Sequence, residues 1–425
     1  MTTLALLILA LCGMPLFAVI ALGALLAFRD AGLDPSVVAM EFQRIGEMPV
    51  LVALPLFTFA GVLLAESRTP QRLVDLSRSL FGWLPGGLAV LALVLFALMT
   101  AFTGASGITV VALGSLMLPA LVRDGYPQRF ALGMVTTGSS LGVLFAPSLP
   151  LILYAVVAQQ VTPGHTVRVE DLFLAGLLPG LLMVLLLAGW AMARKPAPAA
   201  DARREPAPSP GAALRAAAWE IPLPFVVLGG IYSGWLLVVE AAVVTAAWVL
   251  VSVVLVRREV GLVGLLTVIR ESMMLVGAIL VILGVSLAST NIMIDTQVPQ
   301  RLFETVEPWL GSKWTFLLLV NLVLLAVGMM LDIFAALVIM APLILPIALA
   351  FGIDPVHLGI VFLANLQIGY CTPPVGINLF LAAHRFDTDI LTVWRATLPF
   401  LALLVIALLV ITWWPALSLW LPGRT

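Results

Sequence analysis

The sequence predicts an all-α polytopic membrane protein, and three observations carry that prediction. First, 62% of the 425 residues are hydrophobic and 10% are charged, with a mean hydropathy of +1.16. A water-soluble domain is about 45–50% apolar. The 21 basic and 22 acidic side chains cannot clothe a chain this long, so lipid must cover the remainder. Second, apolar runs of bilayer-crossing length, about 17–25 residues, recur from end to end. Third, several runs are interrupted internally by Gly, Pro and hydroxyl residues.

The remaining composition narrows the classes. A net charge of −1 offers no basic face for a nucleic acid. The two cysteines, Cys12 and Cys371, are too far apart in sequence for a metal-ligand motif, and no disulfide framework is expected. The apolar run at 4–28 is longer than the core of a signal peptide, about 7–15 residues, and no basic residue precedes it. It reads as the first transmembrane helix.

Taken in order, full spans are expected near 4–27, 46–66, 130–158, 171–193, 220–237, 239–256, 272–294, 356–383 and 396–420. Stretches 84–122 and 314–350 are too long for one crossing and read as re-entrant helical hairpins. Their tips are Thr103-Gly104-Ala105-Ser106-Gly107 and Gly328-Met329-Met330-Leu331-Asp332. The hydrophilic stretch 194–219, with Arg194-Lys195-Pro196 and Arg203-Arg204, reads as a cytoplasmic surface loop joining two halves. Basic residues also gather at Arg68, Arg72 and Arg78, at Arg123 and Arg129, at Arg257-Arg258, and at Arg385 and Arg395. Loops rich in Lys and Arg face the cytoplasm. One side holds them all if the N-terminus is cytoplasmic and the C-terminus periplasmic. Tryptophans such as Trp83, Trp190, Trp219, Trp314 and Trp413-Trp414 lie at run ends, as an interfacial belt requires.

The chain also matches itself. At an offset of 227, Pro119 falls on Pro346, Gly125 on Gly352, Gly142 on Gly369 and Pro147 on Pro374. At 229, Pro70-Gln71-Arg72-Leu73 returns as Pro299-Gln300-Arg301-Leu302. Each half holds an even number of crossings, so a connecting helix at 220–237 inverts the second. Residues 1–193 are therefore expected to form one inverted repeat and 238–425 the other. Inverted repeats with discontinuous helices are the architecture of secondary transporters.

The candidate chemistry lies where helices break. Besides the two tips, Phe145-Ala146-Pro147-Ser148-Leu149-Pro150 and Cys371-Thr372-Pro373-Pro374-Val375-Gly376-Ile377-Asn378 interrupt apolar runs. Proline removes a backbone donor, and unwound backbone in lipid costs several kcal/mol per unsatisfied group. Freed carbonyls, the hydroxyls of Thr103, Ser106 and Thr372 and the amide of Asn378 offer hard oxygen ligands to a small cation. Helix N-termini at the tips offer amide donors to a carboxylate. Asp332 is the only acid well inside the second hairpin; such a group is usually functional, yet Asp is also a good N-cap. Both roles stand. Glu240 is expected to start the helix at 239–256. His165, His357 and His384 read as interface residues. So few titratable groups at mid-depth make a proton relay hard to build, and sodium is the expected coupling ion.

Two catalytic motifs are set aside. Gly138-Ser139-Ser140-Leu141-Gly142 fits a nucleophile elbow, but that motif needs a preceding strand and this one lies within an apolar helical run. Gly104-Ala105-Ser106-Gly107 resembles the serine motif of intramembrane proteases, which requires a histidine base at the same depth. No phosphate-binding loop of the Walker type is present.

Three segments resemble a known family: Thr103–Pro119, Phe130–Tyr154, and Gly328–Phe380 with its NLQIGYCTPPVGINLF ending. They are similar to the large membrane (M) subunit of tripartite ATP-independent periplasmic (TRAP) transporters. The resemblance implies an elevator-type fold and sodium-coupled uptake of C4-dicarboxylates, sialic acid or related organic acids across the bacterial inner membrane. It implies no cofactor and no enzymatic activity. It also implies a small membrane subunit of four or so helices (Q subunit) and a periplasmic substrate-binding protein (P subunit). Carried onto this chain, the sodium and substrate sites fall on Thr103, Gly104, Ser106, Gly107, Ala146, Pro147, Ser148, Gly328, Asp332, Thr372, Pro373, Pro374, Gly376 and Asn378. Sodium is expected near Ser106, Asp332 and Thr372. One departure is the absence of a Thr-Pro turn before Glu240-Ala241-Ala242, where this chain reads Trp235-Leu236-Leu237-Val238-Val239. A self-sufficient sodium/dicarboxylate or citrate symporter is the alternative, with an intramembrane serine protease more remote.

Overall fold

The structure, a computed structural model, describes residues 2–81, 86–162, 164, 166–194 and 208–424. Helices account for almost all of them. The first run comprises α1 (Thr2–Leu11), α2 (Leu16–Asp30), α3 (Val37–Gly46), α4 (Ala53–Glu66), α5 (Thr69–Phe81), α6 (Gly87–Thr103) and α7 (Ser106–Ala112). Next come α8 (Gly114–Arg123), α9 (Gln128–Gly138), α10 (Leu149–Val161), α11 (Val169–Ala193), α12 (Pro210–Ala216) and α13 (Pro222–Tyr232). They are followed by α14 (Val238–Leu250), α15 (Leu262–Asp295), α16 (Val298–Leu310), α17 (Lys313–Met330) and α18 (Ile333–Ala350). The last are α19 (Pro355–Gly369), α20 (Ile377–Arg385), α21 (Ile390–Trp413) and α22 (Ala416–Leu419). Among the described residues, seven helical stretches are long and apolar enough to cross a membrane, or up to nine if each bent pair is one span. The bent pairs are α7 with α8, at 51°, and Gln128–Leu144 with α10, at 42°.

Helix α19 is the centre of the molecule. Every one of its residues is buried, and α17, α18, α11, α21 and α10 pack around it. The helix carries no charged residue, and His357, Asn365 and Gln367 are its only polar side chains, as enclosure on all sides requires. Its start is fixed by Asp354, whose Oδ1 accepts the N–H groups of Val356 (2.7 Å) and His357 (3.3 Å). Inside it, the Asn365 amide donates to Asn321 Oδ1 on α17 (2.7 Å), and Asn321 donates to Thr412 Oγ1 on α21 (3.0 Å). Helix α4 lies against α14, α15 and α6, linking a second group of helices to the first.

Several expectations change. The span expected at 4–27 is two helices, α1 and α2, broken at Gly13 (φ +89°) and Pro15. They fold back on each other, so that a Cβ on Gly23 would lie 3.3 Å from Leu6. Proline cannot continue the helix, and the left-handed glycine turns the chain. The connecting helix expected at 220–237 is α13, only 11 residues long. Of the loop expected at 194–219, residues 195–207 lie outside the described residues; its end forms α12, which buries Ala213 against α5. The span expected at 272–294 begins ten residues earlier, giving a helix of 34 residues, about 51 Å long. That exceeds the roughly 30 Å hydrocarbon core, so α15 must tilt or emerge.

Two ionic clusters fix helix ends. Arg72 donates from Nε to Glu220 Oε1 (2.8 Å) and bonds Glu259 through Nη1, while Arg257 Nη2 reaches Glu220 Oε2 at 3.2 Å. Burial alone would raise the Glu259 carboxyl, but Arg72 and the Arg68 N–H overcome it and hold the pKa below 4.5. The second cluster joins Arg424 to Asp171 (2.8 Å) and Asp354 (3.6 Å). Glu240 starts α14 as expected, with Oε2 accepting the Leu237 N–H at 2.9 Å.

Candidate functional site

Both hairpin tips turn where the sequence places them. Helix α6 ends at Thr103 because Gly104 takes the left-handed conformation (φ +66°), and Ala105 then extends the chain into α7. Helix α17 ends at Met330; Leu331 is extended and Asp332 caps α18. The Asp332 Oδ1 accepts the N–H groups of Phe334 (2.9 Å) and Ala335 (3.1 Å). The capping role of Asp332 is therefore real, and its Oδ2 takes no part in it.

The first broken helix starts its break earlier than the sequence suggested. Helix α9 ends at Gly138, and Ser139 and Ser140 donate back to Thr136 O and Thr137 O at 2.8 and 2.9 Å. Side-chain bonds to nearby carbonyls compete with helix propagation. Ser139 and Ser140 thus lie in the break between α9 and a 3-10 turn, not within a continuous helix. The chain passes through a short 3-10 turn, Leu141–Leu144, and the cis Ala146–Pro147 bond before α10 begins. Ser148 precedes α10, is 1% exposed, and its hydroxyl has no hydrogen-bond partner among the described residues. In the second broken helix, Thr372 Oγ1 donates to Ile368 O (2.8 Å), ending α19. The cis Pro373–Pro374 bond and Gly376 (φ +49°) then lead into α20.

Tertiary packing brings these breaks together. Ser106 Oγ, on the first tip, donates to Asn378 Oδ1 at the start of α20 (2.9 Å), and both residues are buried. Asn378 Nδ2 in turn faces Cys371 Sγ (3.7 Å), which contacts Thr136 O (3.4 Å) and Ser140 Oγ (3.8 Å). The first tip is also enclosed by α4 and α10. A Cβ on Gly61 would stand 2.4 Å from Phe102 O and Thr103 Cα, and one on Gly104 would meet Leu149 at 2.3 Å. A Cβ on Gly107 would collide with Leu381 of α20 at 2.6 Å.

The second tip sits on its neighbouring broken helix. Gly376 N–H donates to Met329 O (3.0 Å), and the Tyr370 hydroxyl accepts the Ile333 N–H. Gly328 and Gly369 pass backbone to backbone, where a Cβ on Gly369 would lie 2.7 Å from Gly328 C. The second arms cross over: α7 packs on α20 and α18 packs on α10.

The expected sodium neighbourhood of Ser106, Asp332 and Thr372 is divided in this arrangement. Ser106 bonds Asn378, while Asp332 bonds its own helix and Thr372 donates to the Ile368 carbonyl of α19. The two tips are joined indirectly, because Asn378 N–H donates to Tyr370 O (3.1 Å) and the Tyr370 hydroxyl sits on the second tip. Thr103, Gly104, Ala146, Pro147, Gly328 and Gly376 are buried at the breaks; Gly107 and Pro373 are half-buried and Pro374 is exposed.

Sequence reasoning missed Cys371, Tyr370, Ser140 and Thr100 as site neighbours. Thr100 Oγ1 bonds Thr109 Oγ1 (2.7 Å) and Ser139 O (2.6 Å), tying the first hairpin to the first break. A signal existed: hydroxyls placed just before a break are candidates for its freed carbonyls. His357, in the first turn of α19, is 2% exposed, with Nδ1 2.7 Å from Ser418 Oγ. His384 is exposed at the end of α20, and His165 lies outside the described residues. The Ser106 hydroxyl is directed at an amide oxygen rather than a histidine.

Intersecting hairpins and broken helices, enclosed by apolar spans, define a polytopic membrane transporter. The solved YdaH transporter of Alcanivorax borkumensis has a similar fold, with a TM-score of 0.66 at 17% identity over 90% of this chain and 88% of that one. The chain belongs to the family of the tripartite ATP-independent periplasmic transporter, DctM component, whose pattern matches residues 1–417. It is 35% identical over 390 residues to the C4-dicarboxylate TRAP transporter large permease protein DctM of Pseudomonas aeruginosa, covering 91% of this chain and 89% of that protein. It is 32% identical to the isethionate TRAP transporter permease protein DctMQ of Oleidesulfovibrio alaskensis, covering 97% of this chain and 64% of that longer protein. It is thus a multi-pass protein of the bacterial inner membrane in a family of transport permeases.

Proposed function

We propose that this chain is the large permease of a sodium-coupled importer of small organic acids, loaded by a periplasmic binding protein and assembled with a small membrane subunit. Relatives named for a C4-dicarboxylate and for isethionate share one chemistry, a compact organic anion. The name DctMQ supports a second membrane component, joined to the permease in that relative.

The observation that carries the proposal is the Ser106–Asn378 contact, by which a hairpin tip from one half meets a broken helix from the other inside the membrane. The first tip and the breaks carry neutral oxygen donors: Thr103 Oγ1, Ser106 Oγ, Asn378 Oδ1, Ser148 Oγ and the carbonyls of unwound backbone. Hard oxygen donors without a fixed counter-charge suit a monovalent cation, and unwound backbone carries such sites in secondary transporters. Asp332 Oδ2 at the second tip supplies negative charge, while the tip N–H groups favour a carboxylate.

The two halves, 1–193 and 238–425, act as inverted repeats joined through 194–219 and α13, and the hairpins move as a body past α4, α14 and α15. Support comes from the 227-residue offset, which carries α6 onto α17, α9 onto α19 and α10 onto α20.

Uptake of radiolabelled succinate into proteoliposomes under an inward sodium gradient tests this, with and without the small subunit and binding protein. Uptake that needs sodium and all three components is expected. Uptake by this chain alone would instead make it a self-sufficient symporter, and proton-driven uptake without sodium would overturn the ion assignment.

A further inference from the structure

Hydroxyl side chains in this protein mostly satisfy themselves locally. Thr58, Thr136, Thr137, Thr245, Ser272 and Thr412 each donate to the carbonyl four residues back in their own helix, at 2.6–2.8 Å. Ser286 does not. It lies on α15, 4% exposed, and its Oγ donates across to Val338 O on α18 at 2.7 Å.

The acceptor is open for a covalent reason. In an α-helix the carbonyl of residue 338 is answered by the N–H of residue 342. Residue 342 is Pro342, inside α18, and proline has no N–H. Val338 is 1% exposed, so its carbonyl would stay unanswered in an apolar interior without Ser286. At the 227-residue offset Ser286 corresponds to Phe59 and Pro342 to Ser115. The first half therefore has neither the donor nor the freed acceptor. Helix packing as such does not require the contact.

We propose that Ser286 is a positioning residue for transport, its hydrogen bond to the proline-freed carbonyl of Val338 setting the register of the second hairpin against α15. This rests on the transport reading above, in which the hairpin moves past α15. On separation, Ser286 can turn to Ile282 O, four residues back, as the other hydroxyls do. Val338 O has no N–H four residues on in α18 to turn to. The penalty of leaving falls on the hairpin, so the contact favours the docked arrangement.

The test is a double-mutant cycle in the complete transporter. Ser286→Ala removes the donor, and Pro342→Ala restores an N–H to Val338 O within α18, making Ser286 dispensable. Ser286→Ala should shift Tm down by about 1–3 °C in the native background and by less than about half that in Pro342→Ala. It should change the maximal rate of succinate uptake by about threefold or more, with half-saturation for sodium and succinate within about twofold. Ser286→Thr, which keeps the hydroxyl, should restore both. Equal effects of Ser286→Ala in the two backgrounds would overturn the proposal. So would a failure of Ser286→Thr to restore, or a change confined to half-saturation, which would make Ser286 a binding residue. The Tm cycle reads the contact even if succinate is not transported, so failure of the transport reading stays separate.

Discussion

Ser106 Oγ and Asn378 Oδ1 stand 2.9 Å apart although 272 positions of chain separate them. Each belongs to a segment that breaks a helix: Ser106 opens the second arm of the first hairpin, and Asn378 opens the second arm of the second broken helix. In the proposed sodium coupling, either the hydroxyl or the amide exchanges its protein partner for the ion.

Removing either partner is expected to impair transport and spare folding. Ser106→Ala and Asn378→Ala should each lower sodium-driven uptake by about tenfold or more, while stability falls by no more than one unsatisfied buried polar group implies, about 1–3 kcal/mol. Normal uptake by both variants would remove this site.

Asp332 has two roles that can be separated. Asn is as good an N-cap as Asp, so Asp332→Asn should keep the stability of α18 and lose the charge at the second tip. We expect near-native Tm with strongly reduced uptake. Asp332→Ala should lose uptake and about 1 kcal/mol of stability. If Asp332→Asn transported normally, the cap would be its whole function.

Gly369 and Gly61 stand at backbone contacts that leave no room for a side chain. A Cβ would lie 2.7 Å from Gly328 C at the first and 2.4 Å from Phe102 O at the second. Gly369→Ala and Gly61→Ala should each destabilise the protein by about 1–3 kcal/mol, as overpacking does, and thermal unfolding in detergent measures it. Gly277→Ala, which meets nothing within 4 Å, is the control and should be neutral.

The Glu259 cluster predicts an acid-sensitive joint among α5, α13 and α15. Glu259 is held below its ordinary 4.5 in the folded protein, so its contribution is complete above about pH 4.5. It is lost as pH falls through the lowered folded value. Protease nicking around Arg257 should rise over that range, and Glu259→Gln should already be nicked at neutral pH with a weaker pH response. A pH response in Glu259→Gln equal to that of the native chain would assign the sensitivity to another group.

Replacing sodium by choline should abolish concentrative uptake at fixed membrane potential. Uptake that persisted in choline and rose with an inward proton gradient would reverse the ion assignment.

What the sequence alone determined was set by local and solvent rules. Apolar run lengths located α4, α11, α14 and α21; Gly and Pro located both tips and the second break. Gly104 turns because of its own left-handed φ, and Asp332 caps its own helix. The break at Gly138, the hairpin of α1 and α2 and the length of α15 were less legible, because serine can end or continue a helix, and short apolar helices resemble halves of one span. Tertiary structure alone decided that Ser106 meets Asn378, that Cys371 lies among Ser140, Thr136 and Asn378, and that His357 is buried on Ser418. Those pairings join residues distant in the chain, and their physical cause is the packing of whole helices around α19. A break can be read from its own residues; its partner depends on every helix between them.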